Sequence, residues 1–409
     1  MVQWTAKKIG EVCILATGGT PSRTRPEYFS GDIPWLVSGD INRGEIFGCE
    51  GRITDTGMRS CNAKLLPKNS VMIALNGQGK TRATVAILRI AATCNQSLVC
   101  LTPRDHFVLL PEFLYANLHG RYEELRRLTS DDDKDRRGLN MGIIREIKVP
   151  IPPLPEQRRI VAILDEAFEA IATPKANTEK NLQNAREVLA QQLQTIFSEP
   201  SANWGVSTLG DTYDVRDGTH DSPKYHDRGW PFITSKNLRP EGLSFDDVKL
   251  IADADYRKIN ERSAVHKGDV LFAMIGTIGN PTVVEVEPDF AIKNVALFKV
   301  SEGQSGHYLR YYLSSQGVVS KMQSEARGTT QKFVGLGYLR AFPVTVPPPA
   351  EQFELVRQLD DLAANTGRLE AICQRKLAAL DELKKSLLHQ ACTGALTSKS
   401  TDQQVAEIA

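Results

Sequence analysis

Two stretches of the chain repeat apolar residues at three- and four-residue steps, with scarcely a helix breaker between them. In residues 156–197 the series is Ile160, Ile163, Ala167, Ile171, then Leu182, Ala185, Leu189, Leu193 and Ile196. In residues 351–392 it is Leu355, Leu359, Leu362, then Leu369, Ile372, Leu380, Leu383 and Leu387. A stripe of this period is the seam along which two long helices pack. Only Pro174 and Gly367 interrupt, and Pro174 is expected to break the first helix as a kink, because proline supplies no amide hydrogen. A proline cluster precedes each stretch and places Glu156 or Glu351 in the first helical turn, where the helix dipole favours a carboxylate.

The same two stretches show that the chain is written twice. IKVPIPPLPEQRRIVAILD at 147–165 matches FPVTVPPPAEQFELVRQLD at 342–360, and a constant offset of 195 needs no gap from 144–197 to 339–392. Upstream the echo is looser: Trp4 to Gly10 parallels Trp204 to Gly210, Gly19-Thr20 parallels Gly218-Thr219, and IPWLVSGDI parallels WPFITSKNL. Duplication gives the order globular, helical, globular, helical.

Short strands are expected at 69–75, 83–90 and 96–102, and again at 269–275, 281–286 and 294–300. Amphipathic helices are expected at 111–128 and 306–324. Within the first set, VMIALNGQGKT at 71–81 mimics a phosphate-binding loop. Such a loop must open directly into a helix, whose N-terminal amides complete the phosphate site. Arg82 to Leu88 is instead β-branched and apolar, suited to a returning strand. The second copy, KGDVLFAMIGTIGN at 267–280, retains the glycine turn but has Asn280-Pro281 in place of Lys80-Thr81. A glycine turn after a strand is thus the repeated feature, and Lys80 reads as a side chain for a nucleic-acid backbone or base.

Bulk properties narrow the class. Hydrophobic residues make up 41% of the 409 and charged residues 24%, as in ordinary globular domains. No apolar run is long enough to span a bilayer and the N-terminus has no signal-peptide core, so a cytoplasmic location is expected. Seven scattered cysteines and seven histidines show neither paired nor metal-ligand spacing, so no metal site is expected. Formal net charge is +1, but residues 1–148 hold 21 Lys and Arg against 16 Asp and Glu, whereas residues 203–343 hold 17 of each. DNA binding must then rest on local patches or on a more basic partner.

Two globular units alternating with two repeated helices, each helix introduced by P-x-P-P-x-x-E-Q or a near copy, resemble the specificity subunit of type I restriction-modification systems. VPIPPLPEQRRIVAILD, its second copy and the closing LDELKKSLLHQACTGAL carry the resemblance, over about residues 1–396. It implies an α+β chain: two α/β target recognition domains, at 1–155 and 199–350, alternate with two spacer helices, at 156–198 and 351–396. The helices would pack as an antiparallel coiled coil with internal pseudo-two-fold symmetry, followed by a flexible tail at 397–409. It further implies a non-catalytic reader of a bipartite, asymmetric site in double-stranded DNA, with the helices fixing the gap. Two methyltransferase subunits and two restriction/translocase subunits would be its partners. This chain would hold no cofactor; S-adenosylmethionine, ATP and Mg2+ would belong to the partners.

Base reading needs side chains that donate or accept bidentately, on loops held by a rigid scaffold. Asn76, Gln78, Lys80 and Arg82 form one such cluster, and Ser38, Asp40, Asn42 and Arg43 another. In the second unit the candidates are Ser235, Lys236, Asn237 and Arg239, then Thr277 and Asn280, then Thr329, Thr330, Gln331 and Lys332. The rivals are a DNA adenine methyltransferase and a DNA-acting ATPase. Phe333-x-Gly335-x-Gly337 mimics a methyl-donor motif, yet no N-P-P-Y or D-P-P-Y accompanies it. No convincing strand ends in paired acids, and Asp131-Asp132-Asp133-Lys134 reads as a solvated loop rather than a nuclease centre.

Overall fold

The computed structural model describes residues 4–76, 81–129, 138–329 and 331–397. The chain divides into two compact units, Met1–Asn177 with Lys376–Ala409, and Thr178–Arg375. Each unit therefore contains one globular part and a piece of both long helices. All but the first residue of the tail expected at 397–409 lies outside the described residues.

In the first unit a five-stranded sheet runs in the order Cys13–Thr17, Leu98–Pro103, Ser70–Ala74, Val85–Leu88, Glu45–Ile46. Ser70–Ala74 is buried at every position because both faces are covered. Val71 and Ile73 face a core with Phe113, Leu114, Ile160 and Leu164, while Met72 and Ala74 face a second core with Leu36, Ile41 and Ile46. Strand alternation thus sends odd residues to the helices and even ones to a layer of loops and a small three-stranded sheet. Ser70–Ala74 pairs antiparallel with Val85–Leu88, Val71 opposite Ile87. The segment after the glycine turn is therefore a returning strand, and no helix starts there to complete a phosphate site.

The second unit repeats this plan. Its four-stranded sheet has the order Asp214–Asp217, Val295–Lys299, Val270–Ala273, Gly279–Val283. Val270 and Phe272 face Leu309, Tyr312 and Leu313, while Leu271 and Ala273 face Ile233, Leu238 and Phe290. In each unit the N-terminal strand pairs antiparallel with the strand before the proline cluster, Thr5 opposite Ile151 and Gly205 opposite Val346.

Three expectations change. The helix expected at 111–128 is two helices, Pro111–Gly120 and Tyr122–Arg127, divided at Arg121 (φ −105°, ψ 20°). There the guanidinium is tied to the Lys148 carbonyl and to Glu124. The helix expected at 306–324 is likewise Gly306–Ser314 and Gln316–Glu325, separated by the extended Ser315 (ψ 139°), whose hydroxyl donates to the Tyr312 carbonyl at 2.8 Å. Serine competing for a backbone carbonyl in this way favours helix ends over interiors. Third, Pro174 does not interrupt the first long helix: Leu154–Ser198 is continuous through it for 45 residues, as is Pro349–Thr393.

The helices pack in opposite directions within each unit. In the first, Lys175 pairs with Asp381 at 2.7 Å and Glu156 accepts from the Thr397 hydroxyl. In the second, Arg186 meets Glu370 at 3.2 Å, and Leu193 packs in one cluster with Val356 and Leu359. Ile160, Ile171, Ala185, Leu193 and Leu359 are buried as the seam requires, and Leu164 is buried beside the series. Leu369, Ile372 and Leu383 are not; Leu383 is 47% exposed. The register of the second helix buries Cys373, Leu388 and Ala391 instead, each off the expected series.

The E-Q of the repeated motif has a physical reason. Gln157 is wholly buried; its Oε1 accepts from the Leu110 amide at 2.9 Å, and its Nε2 donates to the Val108 and Pro152 carbonyls at 2.8 Å. Gln352 does the same with the Ser305 amide (3.1 Å) and the Pro347 carbonyl (3.0 Å). One amide side chain thereby satisfies loop backbone that would otherwise be buried unpaired. Glu351 accepts from the Trp204 indole at 2.8 Å and from Asn203 at 3.1 Å. The motif fastens each globular part to the start of its helix.

Candidate nucleic-acid interface

Several strand ends of each unit converge on one edge, and the polar turns lie there. In the second unit the parallel strands Trp230–Ile233 and Ala291–Ile292 end together, with the Lys293 amide bonded to the Ile233 carbonyl at 2.8 Å. Val295 opposes Ala273, Asp217 opposes Ala296, and the Thr219 amide bonds the Ile292 carbonyl at 3.1 Å. The segment 327–333 folds back onto the same end: Arg327 and Phe333 exchange backbone bonds, and the Gly276 amide donates to the Lys332 carbonyl at 2.9 Å. Gly276 has φ +81°, and a Cβ there would sit 3.2 Å from Gln331 Nε2, so the glutamine lies over the glycine turn.

This edge brings the three clusters of the second unit together. Lys236, Arg239, Thr277, Thr329, Gln331 and Lys332 are exposed. Ser235 is half-buried in the short 3-10 turn Ser235–Asn237. Asn280, also half-buried at φ +49°, donates to the Leu238 carbonyl at 3.1 Å and so ties the glycine turn to the 235–239 turn. Thr330 lies outside the described residues. Asn237 is a different case. It is 6% exposed, its Oδ1 accepts from the Thr234 amide and hydroxyl, and its Nδ2 donates to the Ser244 carbonyl. Its hydrogen bonds hold the turn.

The first unit has the same edge. Leu36 and Cys94 end parallel strands, the Asn95 amide bonds Leu36, the Gly19 amide bonds Cys94, and the Leu139 amide bonds Leu75 at 3.0 Å. Ser38–Arg43 is a 3-10 turn seated by Ile41 in the core. Asp40 accepts from the Val37 amide at 2.9 Å, Asn42 donates to Gly39 and Arg43 to Gly48, while Asn42 and Arg43 remain exposed and Ser38 is half-buried. Asn76 is exposed, whereas Arg82 is half-buried with its Nε unpartnered among the described residues. Gln78 and Lys80 lie outside the described residues.

Two features of the edge were not singled out in the sequence. One is the loop that follows Cys13–Thr17 in the first unit and Asp214–Asp217 in the second. Gly18 and Gly218 are equivalent in space, since a Cβ on either would fall 1.6 Å from the Cys94 oxygen or 2.3 Å from the Ile292 oxygen. This shifts the sequence pairing of Gly19-Thr20 with Gly218-Thr219 by one and matches Thr20 with His220. The Thr20 hydroxyl donates to Gln96 Oε1 at 2.6 Å; His220 Nδ1 lies 2.7 Å from Asn294 Oδ1. The recurring G-T was the signal available. The other is Gly138, where a Cβ would fall 1.8 Å from Asn76 Oδ1 and 2.7 Å from the Leu75 oxygen; residues 130–137 lie outside the described set.

Residues 1–183 and 201–376 both match the family model described as the type I restriction modification DNA specificity domain. The chain belongs to that family. It is a DNA-recognition specificity subunit of a type I restriction-modification system. Among its relatives, the MjaIX specificity subunit of Methanocaldococcus jannaschii is 25% identical over 96% of this chain and 93% of its own. The EcoKI specificity subunit of Escherichia coli K12 is 20% identical over 97% and 90%. The fold is that of the HsdS subunit from Thermoanaerobacter tengcongensis, with TM-score 0.61, 18% identity and coverage of 96% and 97% of the two chains.

As a specificity subunit the chain is not catalytic, and the features that imitate catalysis have structural explanations. Phe333 bridges to Arg327 and Ile275, and Gly335 caps the six-residue helix Leu336–Ala341. Tyr338 beside them donates to Glu325 at 2.6 Å; burial first, then that carboxylate, push its phenol well above its usual range, so it remains a donor. Among the described residues no three His, Cys, Asp or Glu side chains are grouped to hold a metal, and no helix is long and apolar enough to cross a membrane.

Proposed function

We propose that each unit reads one half of a split, asymmetric DNA sequence through the polar turns at its strand-end edge. The observation that carries this reading is that two units of one architecture present different side chains at equivalent places. In the aligned sequences of the glycine turn Asn76 and Gln78 give way to Ile275 and Thr277, and at the end of the 3-10 turn Asn42 and Arg43 give way to Arg239 and Pro240. A shared scaffold with dissimilar readers is what an asymmetric site requires. Asn42, Arg43, Asn76, Gln78, Lys80 and Arg82 are the proposed readers of one half-site. Ser235, Lys236, Arg239, Thr277, Asn280 and the run from Thr329 to Lys332 are those of the other. Ser38 belongs with the first set, while Asp40 and Asn237 hold their turns.

The duplicated helices then provide two equivalent seats for methyltransferase subunits, with two restriction/translocase subunits joining through them. S-adenosylmethionine, ATP and Mg2+ reside on those partners, and the assembly works in the cytoplasm, where its DNA is. The spacer helices, bounded at 156–198 and 351–396, set the gap between half-sites. Sequencing the methylated adenines of a host that expresses this chain with its methyltransferase tests the proposal. The expected result is one modified motif of two unlike half-sites around a fixed, unread gap. A continuous or palindromic motif would overturn it.

A further inference from the structure

Within these two unlike edges one device recurs. In both units a glycine forced against a strand-end carbonyl, Gly18 or Gly218, starts a loop whose next-but-one residue reaches across to a carboxamide on the neighbouring turn. The pairs are Thr20 with Gln96 and His220 with Asn294. The partners differ, a hydroxyl in one and an imidazole in the other, but the outcome is the same. Gln96 Oε1 accepts the Thr20 hydroxyl, and Asn294 Oδ1 faces His220 Nδ1, which donates to it when the ring carries a proton on each nitrogen; the amide nitrogens of Gln96 and Asn294 make no hydrogen bond among the described residues.

The second unit reinforces the arrangement. His220 Nε2 lies 3.0 Å from Asp217, which also takes Arg262 at 2.8 Å, and Lys293 Nζ donates to Ser222. Each loop continues into an exposed cation, Arg23 in one and Lys224 in the other. An NH2 on the same edge as the reading turns, held by a loop that also carries an exposed cation, suits an anionic oxygen.

Recurrence decides which DNA group it meets. Two unlike half-sites share no base sequence, but their phosphate backbones are chemically identical. Contacts to phosphate fix position without reading sequence, whereas base contacts specify. A feature kept in both units, while the reading turns differ, belongs with what the half-sites have in common. We infer that Gln96 and Asn294, held by Thr20 and His220, donate to backbone phosphates, one in each half-site. With Arg23 and Lys224 they form a sequence-independent clamp that sets the register of the reading turns. This rests on the strand-end edge being the DNA-binding face.

Substitutions Gln96→Glu and Asn294→Asp test it in the full chain complexed with its methyltransferase. Each keeps the acceptor oxygen for Thr20 or His220 and exchanges the outward NH2 for a carboxylate oxygen, so the fold retains its internal bond. Affinity for a cognate duplex and for an unrelated duplex should fall by the same factor, roughly tenfold, the worth of one hydrogen bond to a charged group. The methylated motif should stay unchanged. Asn294→Ala should weaken both duplexes less than Asn294→Asp does. Relaxed readout at one half-site would make these residues base readers and overturn the inference. So would wild-type affinity for both duplexes, which would leave the pairs only structural. Failure of the unaltered complex to bind DNA with any preference would instead sink the proposed function itself.

Discussion

Asp269 is 2% exposed and accepts from the backbone amides of His266 and Val300 and from the Lys299 ammonium. At the equivalent places the first unit has Ser70 and Thr102, whose hydroxyls are 2.8 Å apart. The same joint is thus an ion pair in one copy and a neutral hydrogen bond in the other. Taking one partner from a buried pair strands the other charge, so Asp269→Ala should cost about 3–5 kcal/mol. The double change Asp269→Ser with Lys299→Thr copies the first unit and should recover most of that, as read by denaturant unfolding. At the same scale, Lys80→Ala should weaken DNA binding by about 1–3 kcal/mol if Lys80 reads a base. Any ATP affinity, measured by equilibrium dialysis, should be the same in mutant and wild type; a loss confined to the mutant would revive the phosphate-loop reading. Single residues were the least legible part of the sequence. An asparagine on a turn looks the same whether it faces DNA or caps the turn, and only burial separates Asn237 from Asn76. The Thr20–Gln96 pair joins residues 76 positions apart, so no local pattern could reveal it.

Elements were easier to read, because periodicity is local and was present twice. The long helices, the strand–turn–strand and the proline-to-helix junctions followed from spacing alone. What spacing could not give was register: a heptad-like stripe is broader than the contact it makes, and a helix rotated slightly exposes its edge. Val188 and Leu383, equivalent by the 195-residue offset, are 42% and 47% exposed, whereas the equivalent Leu193 and Leu388 are 5% and 4%. Leu383→Lys should therefore leave thermal stability within about 0.5 kcal/mol. Leu193→Lys, placing an unpaired charge against Tyr308 and Leu359, should prevent a stable fold. The junction glutamines give a second contrast. Gln157→Leu removes the partner of one amide and two carbonyls, each costing roughly 1–3 kcal/mol if left buried and unpaired. Limited proteolysis should then cut first around residues 105–112; unchanged cleavage would show that water replaces the side chain at no cost.

At the scale of the whole molecule the question is which segment constitutes a transferable reader. Sequence alone suggests exchanging residues 199–350, the stretch between the spacer helices. The compact unit is larger, Thr178–Arg375, because its globular part is packed on its own helical pieces. Phe197 stacks edge-on against Tyr308 and Tyr312, Gln194 accepts from the Gly317 amide at 3.0 Å, and Asp360 takes the Tyr311 hydroxyl at 2.6 Å. Tyr311 has its phenol pushed up to about 12, by burial first and then by Asp360, so it stays a donor across the working pH range. A graft limited to 199–350 from a relative of different specificity would set foreign residues against Leu193, Phe197, Leu359 and Asp360. A graft of 178–375 carries those contacts with it. The larger graft should therefore yield a stable chain whose methylated motif differs in one half-site and keeps the other. The shorter graft should lose stability in proportion to the mismatch at those four positions, and restoring them from the donor should rescue it. If both half-sites changed with the larger graft, the units would not read independently. If the shorter graft were as stable as the larger whatever stood at those positions, the helical pieces would be a passive frame, and the boundaries drawn from the sequence would be the functional ones.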